Sequence, residues 1–174
     1  DTVPVGNHRY SGSFAGFVGI ADVSEAFNSA QVVRASDGKT AVHVLCGSPQ
    51  RVARTSGEIL KLMLRTADLE ALDRAGKTAL HYACYCNQTA IVDKLVRVHV
   101  NVDCTVQSRV RGDFYDGCTA LHVAAQEGHW QVVTTLLKAG AVVDVVDGSG
   151  YTPLTRTLLR QKEVSQMEPK TPEL

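Results

Sequence analysis

Residues 117–141 read GCTALHVAAQEGHWQVVTTLLKAGA, a stretch that combines a helix-capping residue, two helical patterns and glycine turns. Thr119 is suited to cap the first helix, because its hydroxyl can accept a backbone N–H from the first turn. The second helical pattern has apolar residues at i, i+3 and i+4 spacing, which predicts one buried face. Gly140 is suited to end this helix, since glycine readily adopts the left-handed conformation of a C-cap. The stretch therefore predicts a helix–turn–helix unit.

The start of this unit recurs along the chain, each time with a glycine two residues before a threonine. The four copies are TAVH at 40–43, TALH at 78–81, TALH at 119–122 and TPLT at 152–155. Their threonines are 38, 41 and 33 residues apart, so the first two intervals equal the third with five and eight residues inserted. A recurring period of this length predicts a stack of helical repeats, because each unit buries its apolar face only against its neighbours.

The recurring signature resembles the ankyrin repeat, whose period is about 33 residues, over roughly residues 35–159. The resemblance implies an all-α solenoid in which helix–turn–helix units are joined by β-hairpin fingers. It also implies that three histidines bond the signature threonine and a neighbouring loop, and so tie adjacent repeats together: His43, His81 and His122. The irregular, inserted repeats are similar to those of ankyrin inhibitors of Rel-type transcription factors.

The signature positions divide the chain into six parts, and its last repeat is expected to act as a cap. Terminal repeats need a polar outer face, which Arg156, Arg160 and Lys162 are expected to provide. The parts are an N-terminal cap or degenerate repeat at 1–34, repeat 1 with an inter-helix insertion at 35–73, repeat 2 with a long finger at 74–114, repeat 3 at 115–147, a C-terminal capping repeat at 148–165 and a tail at 166–174.

The eight extra residues of repeat 2 lie between Asn101 and Thr119. Alternating apolar and polar residues at 102–106 predict a strand, and the Arg-Gly-Asp sequence at 111–113 predicts a turn. The segment is therefore interpreted as a lengthened finger hairpin, with a loop lacking fixed structure as the alternative. Its tip combines charged donors with apolar area, a composition enriched in interfaces, although both aromatics could instead fold onto the neighbouring finger. The tip residues are Arg109, Arg111, Phe114 and Tyr115.

A binding surface is expected where fingers and first helices form the concave side of the stack. Tyr85 and Arg74 are the expected hot spots, because aromatic and arginine side chains dominate binding energy at interface centres. Tyr82 has packing between neighbouring first helices as an alternative role. Trp130 is expected to cover the second-helix side. The other candidate contacts are Lys77, Tyr82, Cys86, Gln126, Glu127 and Tyr151.

Composition argues against several other classes of protein. The 18 basic and 18 acidic residues cancel, which disfavours direct binding of nucleic acid. No apolar run approaches the roughly 18 residues of a membrane span. Five cysteines at irregular spacing favour free thiols in a reducing compartment, which predicts an intracellular, cytoplasmic or nuclear protein. Cys84 and Cys86 lack the two-residue spacer of redox and zinc motifs, with a metal site built from them and their neighbours as the alternative.

Catalytic signatures such as a P-loop or a nucleophile elbow do not occur in the sequence. We therefore expect a monomeric, non-enzymatic module without cofactor or metal, which binds a signalling or transcription-regulatory protein as an inhibitor or scaffold. The alternative is a regulatory or targeting ankyrin segment of a larger channel, enzyme or ubiquitin-ligase adaptor. The missing initiator methionine and the two prolines near the C-terminus favour that alternative.

Overall fold

The helices of the protein come in pairs that repeat along the chain. A computed structural model describes residues 37–50, 61, 63–65, 67–109, 113 and 115–167, with side chains described as far as residue 161. Predictions for residues 1–34, the tail, most of the repeat 1 insertion, Arg111 and Phe114 lie outside the described residues. The helices with defined bounds are α1 Ala41–Cys46, α2 Ala79–Tyr85, α3 Thr89–Arg97, α4 Ala120–Gln126, α5 Trp130–Lys138 and α6 Pro153–Met167.

The helices form two rows with an aliphatic core between them. The first helices α1, α2, α4 and α6 pack side by side, while α3 packs against α2 and α5 and α5 packs against α4. Ala83 and Ala124 are fully buried, and their small side chains allow neighbouring helices to approach closely. The prediction of an all-α ankyrin solenoid is confirmed. In the part of the chain that the structure describes, no helix is both long and apolar enough to cross a membrane.

The signature threonines begin the first helices, as predicted. Thr40, Thr78 and Thr119 are N-caps with extended backbones, and each forms a reciprocal capping box with the histidine three residues later. The helix ends also follow the prediction, because His99 takes the left-handed conformation that Gly140 takes in the next repeat. Asn87 is left-handed as well, at the place of Gly128.

The fingers are hairpins whose length can be compared directly. Asp73 N–H donates to the Lys77 carbonyl at 3.0 Å, and Asp147 N–H donates to the Tyr151 carbonyl at 2.9 Å. The corresponding bond of the middle finger joins Val106 N–H to the Cys118 carbonyl at 2.8 Å. This hairpin closes twelve residues later rather than four, so the predicted insertion of eight residues lies within the finger.

The strand predicted at 102–106 does not form. Among the described residues this finger contains only an isolated antiparallel bridge between Thr105 and Thr119. Residues 102–103 form a turn, because the Asn101 side chain accepts the Asp103 N–H at 3.0 Å. Such local side-chain acceptors compete with strand pairing for backbone N–H groups. The alternation of apolar and polar residues gave no indication of the Asn101 acceptor.

The last repeat differs from the expected cap in the burial of one arginine. Arg160 is exposed as predicted, and the Lys162 side chain lies outside the described residues. Solvent exposure of Arg156 was a wrong prediction, because its guanidinium is buried against the Asp147 carboxylate. Helix α6 continues to Met167, the last residue that the structure describes.

Candidate functional site

The three signature histidines connect successive repeats with the same pair of bonds. The Nδ1 atoms of His43, His81 and His122 accept the backbone N–H of their own signature threonines at 3.1, 3.2 and 3.1 Å. Each Nε2 donates to a carbonyl of the following finger. The acceptors are Lys77 O at 3.0 Å, Cys118 O at 3.2 Å and Tyr151 O at 3.0 Å. The predicted threonine–histidine–loop tie is confirmed in all three repeats.

These bonds fix the protonation state of the rings. A backbone N–H can only donate and a carbonyl can only accept, so each ring carries its proton on Nε2 and is neutral. Burial lowers the pKa of His43 and His122 below its usual value and lowers that of His81 to about 4. The repeats are therefore tied by uncharged, oriented imidazoles at neutral pH.

The fingers also contact each other through their backbones. Arg74 N–H donates to the Asp37 carbonyl at 3.0 Å, and Gln107 N–H donates to the Gly76 carbonyl at 3.0 Å. Gly148 N–H donates to the Asp116 carbonyl at 2.9 Å. Gly76 has a φ of 71°, and a Cβ atom at this position would overlap the backbone of Gln107. The long finger is therefore in direct backbone contact with the finger that precedes it.

A second set of ties joins the turns between helices to the preceding repeat. His129 Nε2 donates to the Tyr85 carbonyl at 3.0 Å. Gln88 occupies the equivalent position in repeat 2, where its amide donates to the Cys46 carbonyl. The sequence shows Gln88 only as a departure from the signature, but glutamine and histidine both place a side-chain N–H there.

Tyr82 is oriented by the finger that precedes its helix. Its hydroxyl donates to Asp73 Oδ2 at 2.6 Å, and Asp73 Oδ1 accepts the Lys77 N–H at 2.9 Å. Burial, reinforced by the neighbouring Asp73 carboxylate, raises the pKa of Tyr82. The ring also meets the edge of His43 and lies 5.0 Å from the Lys39 ammonium. Tyr82 thus packs between neighbouring first helices, the alternative that the sequence left open.

Tyr115 joins the long finger to the finger before it. The Lys77 ammonium lies 4.2 Å from the centre of its ring, a cation–π contact. Its N–H donates to Asp113 Oδ1 at 3.1 Å, while Asp113 Oδ2 accepts the Ser108 hydroxyl at 2.7 Å. The ring is half-buried against the core, and burial raises its pKa. Tyr115 therefore folds onto the neighbouring finger, which is the alternative that the sequence left open.

Four of the candidate contacts remain exposed on this side of the stack. Tyr85 is 51% exposed, and its backbone carbonyl is held by His129. Arg74, Arg109 and Tyr151 are also exposed. Cys86 is half-buried and its thiol donates to the Gly47 carbonyl at 3.5 Å.

The outward position predicted for Gln126 was wrong. Its side chain is buried, and its amide oxygen accepts Arg156 Nη1 at 3.0 Å. Burial of Asp147 opposes its ionisation, but bonds from the Tyr151 N–H and the Arg156 guanidinium outweigh it and lower its pKa. Glu127 remains half-buried, with Oε2 accepting Arg160 Nη1 at 2.6 Å. The third and fourth first helices are therefore joined by a polar contact.

Trp130 and Cys84 differ strongly in exposure. Trp130 lies on the second-helix side, as expected, but it is 70% exposed and covers little of the core. Cys84 is fully buried, and burial raises the pKa of its thiol. Among the described residues, no three His, Cys, Asp or Glu side chains are grouped so that they could hold a metal ion.

Two family models match the chain. The model described as ankyrin repeats in three copies matches residues 22–108, which is half of the chain. The model described as ankyrin repeat matches residues 116–148.

Three curated proteins illustrate the range of similar sequences. B-cell lymphoma 3 protein homolog of Mus musculus is 36% identical over 107 residues, 59% of this chain and 22% of that protein. Ankyrin repeat and SOCS box protein 3 of Homo sapiens is 31% identical over 94 residues, 54% of this chain and 17% of that protein. Tyrosine-protein kinase HTK16 of Hydra vulgaris is 32% identical over 90 residues, 52% of this chain and 11% of that protein. The chain spans about a fifth or less of the length of these relatives.

Proposed function

The chain belongs to the ankyrin-repeat family, and we propose that it binds a signalling or transcription-regulatory protein through the concave surface of its fingers and first helices. Ankyrin repeats are protein-interaction modules and are not catalytic. The surface takes its rigidity from the histidine ties and the backbone contacts between fingers. A rigid surface loses little conformational entropy when a partner binds, which favours affinity.

The observation that carries the proposal is the state of Tyr85. Its backbone carbonyl is fixed by His129 Nε2 at 3.0 Å, while half of its side chain remains exposed. An aromatic side chain on an immobilised backbone is suited to act as an interface anchor. Arg74 adds an exposed guanidinium whose backbone is likewise fixed, by the Asp37 carbonyl.

The remaining candidate contacts have different parts in the proposed surface. Arg109, Cys86 and Tyr151 offer further accessible groups, and Arg111 and Phe114 are proposed to extend the surface. Lys77, Tyr82, Tyr115 and Glu127 are already engaged with neighbouring side chains, so we assign them to holding the surface in shape. The repeat boundaries given from the sequence are part of the same proposal.

The resemblance of the inserted repeats to those of ankyrin inhibitors of Rel-type transcription factors supports a regulatory protein as the partner class, with the chain acting as an inhibitor or a scaffold. The test begins with partners isolated on the wild-type chain and purified. Tyr85→Ala and Arg74→Ala should each weaken binding by tenfold or more in calorimetry, with unchanged melting temperatures. Lys138→Ala, an exposed change on α5, is the matched control. Equal affinity of all four proteins would refute the proposed surface.

A second function is favoured by the size of the relatives. The matched region is 11% of a tyrosine-protein kinase and 17% of an ankyrin repeat and SOCS box protein. The chain would then be a regulatory or targeting segment of a larger channel, enzyme or ubiquitin-ligase adaptor. Sequencing the full-length transcript tests this, because a catalytic, membrane or adaptor segment in the same reading frame is required.

A further inference from the structure

The end of the stack formed by α6 exposes residues that are buried in the preceding repeats. Leu80 and Leu121 follow their signature threonines by two residues and are 3% and 2% exposed, whereas the equivalent Leu154 is 69% exposed. In the preceding repeats, α3 packs on α2 and α5 packs on α4, and the equivalent leucines belong to the aliphatic core. Helix α6 runs on to Met167, and the residues that the structure describes include no second helix of this repeat over Leu154.

The exposed apolar surface extends beyond one residue. Leu158 is exposed one turn after Leu154, and residues at i and i+4 share one face of a helix. Three valines of the segment between α5 and the last finger are exposed as well: Val142, Val143 and Val146. Leu154 and Leu158 thus leave apolar area exposed on one face of α6, and exposed apolar patches mark interaction sites.

A series of hydrogen-bond acceptors ends at the same place. Glu70 Oε1 accepts the Asn101 N–H of the following repeat at 2.7 Å. One repeat later, Asp103 Oδ1 accepts the Val142 N–H at 2.9 Å. Asp144 is the next member of this series, three residues before the finger aspartate, and it has no hydrogen bond among the described residues. Its carboxylate is therefore placed to accept a backbone N–H from whatever packs on α6.

We propose that this end face, defined by Asp144, Leu154 and Leu158, docks an amphipathic helix of a partner protein in the place that a second helix takes in the preceding repeats. The interface between repeats continues through α4 and α6 to this face, so α5 shows what an occupant needs. Its buried residues Val132 and Leu136 form an apolar stripe, and the Val142 N–H follows six residues later to meet the acidic acceptor. The occupant is therefore a helix with such a stripe, followed by a turn that presents a free N–H.

A peptide from the chain itself provides the probe. Fluorescein-labelled residues 128–143 contain α5 and the Val142 donor, and fluorescence anisotropy measures their binding to the full chain. We expect saturable binding, which Leu154→Lys and Leu158→Lys each weaken by tenfold or more and Asp144→Asn weakens to a smaller extent. These side chains are exposed, so the changes leave the fold intact. Leu137→Lys, an exposed change on α5, and Tyr85→Ala, on the concave surface, should leave peptide binding unchanged.

Several outcomes would overturn the proposal. A scrambled peptide that binds as tightly would show that the face does not recognise an amphipathic stripe. If the peptide still binds the Leu154→Lys and Leu158→Lys variants with unchanged affinity, its binding site lies elsewhere on the chain. Sedimentation that reveals self-association abolished by Leu154→Lys would make a second copy the occupant. Because Tyr85→Ala tests the concave surface separately, failure here is distinguishable from failure of the proposed function.

Discussion

At the scale of single residues, the signature threonine links helix capping to the contact between repeats. Thr119 is fully buried, and its hydroxyl lies 2.9 Å from His122 Nδ1 and accepts the His122 N–H at 3.4 Å. The hydroxyl therefore orients the same ring that reaches the next finger. Loss of the hydroxyl affects both the helix start and the tie.

We expect Thr119→Val to lower the free energy of unfolding by roughly 1 kcal/mol or more, because valine keeps the shape but cannot cap the helix. Urea denaturation followed by circular dichroism measures this change. Thr134→Val is the control, since Thr134 is exposed on α5 and bonds only within its helix. A midpoint that moves equally for both variants would contradict a special role for Thr119.

The buried histidines predict a specific dependence of stability on pH. Their folded pKa values lie below the ordinary 6.5, with that of His81 at about 4, so the unfolded chain binds protons first as pH falls. The stability from the neutral rings is fully present above pH 6.5 and is lost as pH falls toward 4. Midpoints of urea denaturation between pH 7.5 and 4 should decrease through this window. His81→Gln should reduce the slope, and an unchanged slope would show that His81 does not titrate as proposed.

The role of a residue could be predicted from the sequence where the same residue type recurs at the same position in successive repeats. The threonine cap and the histidine tie recur with fixed residue types, so they were predictable. Tyr82 and Arg156 were not, because each is a donor placed nine residues after a finger aspartate, Asp73 or Asp147. A tyrosine and an arginine share no sequence signature, although both side chains here donate to the aspartate carboxylate at the same position of the finger.

The contrast with the long finger and α4 supports this explanation. Their equivalent positions are Val106 and Val123, both buried, so an apolar pair replaces the acid and its donor. The sequence therefore contained a signal for the burial of Arg156, because the finger residue and its partner on the first helix change together from one repeat to the next. The burial of Gln126 depends on that arginine in the next repeat, and a single repeat contains no sign of it.

At the scale of elements, the fingers depend on glycine where backbones touch. Gly76 and Gly128 have φ values of 71° and 72°, but only Gly76 faces another backbone, that of Gln107. The length of the finger insertion could be counted from the sequence. Its close contact with the preceding finger could not, because the glycine signature is the same in fingers with and without it.

We expect Gly76→Ala to destabilise the chain more than Gly128→Ala does. Both changes force an L-residue into the left-handed region, at about 1–2 kcal/mol, but Gly76→Ala also displaces the backbone of Gln107. Crowding of this kind typically adds about 1–3 kcal/mol. Thermal denaturation of the two variants isolates the contact, since their φ values match. Equal losses of stability would mean that moving these two fingers apart does not lower the free energy of unfolding.

At the scale of the whole molecule, the ties make a linear stack behave as one unit. Each repeat contacts only its neighbours, so stability is the sum of repeat terms and interface terms. The helix pair α2–α3 with its finger is joined to the helix pair α4–α5 with the long finger by the His81 bond to the Cys118 carbonyl, the His129 bond to the Tyr85 carbonyl and the finger contact at Gly76. These bonds are spread over fingers, first helices and turns, so the two repeats are joined across their full depth.

Weakening this interface should separate the unfolding of the two repeats. We expect amide hydrogen exchange in the wild type to show similar opening free energies for residues 78–97 and 119–138, because the interface couples them. His81→Ala together with His129→Ala should lower protection in one segment more than in the other, since the repeats then open separately. Lys94→Ala with Lys138→Ala, on the outer helices, is the matched control and should preserve equal protection. If the histidine pair lowers protection equally in both segments, the coupling comes from apolar packing between the helices, and the histidine ties are not what makes the stack cooperative.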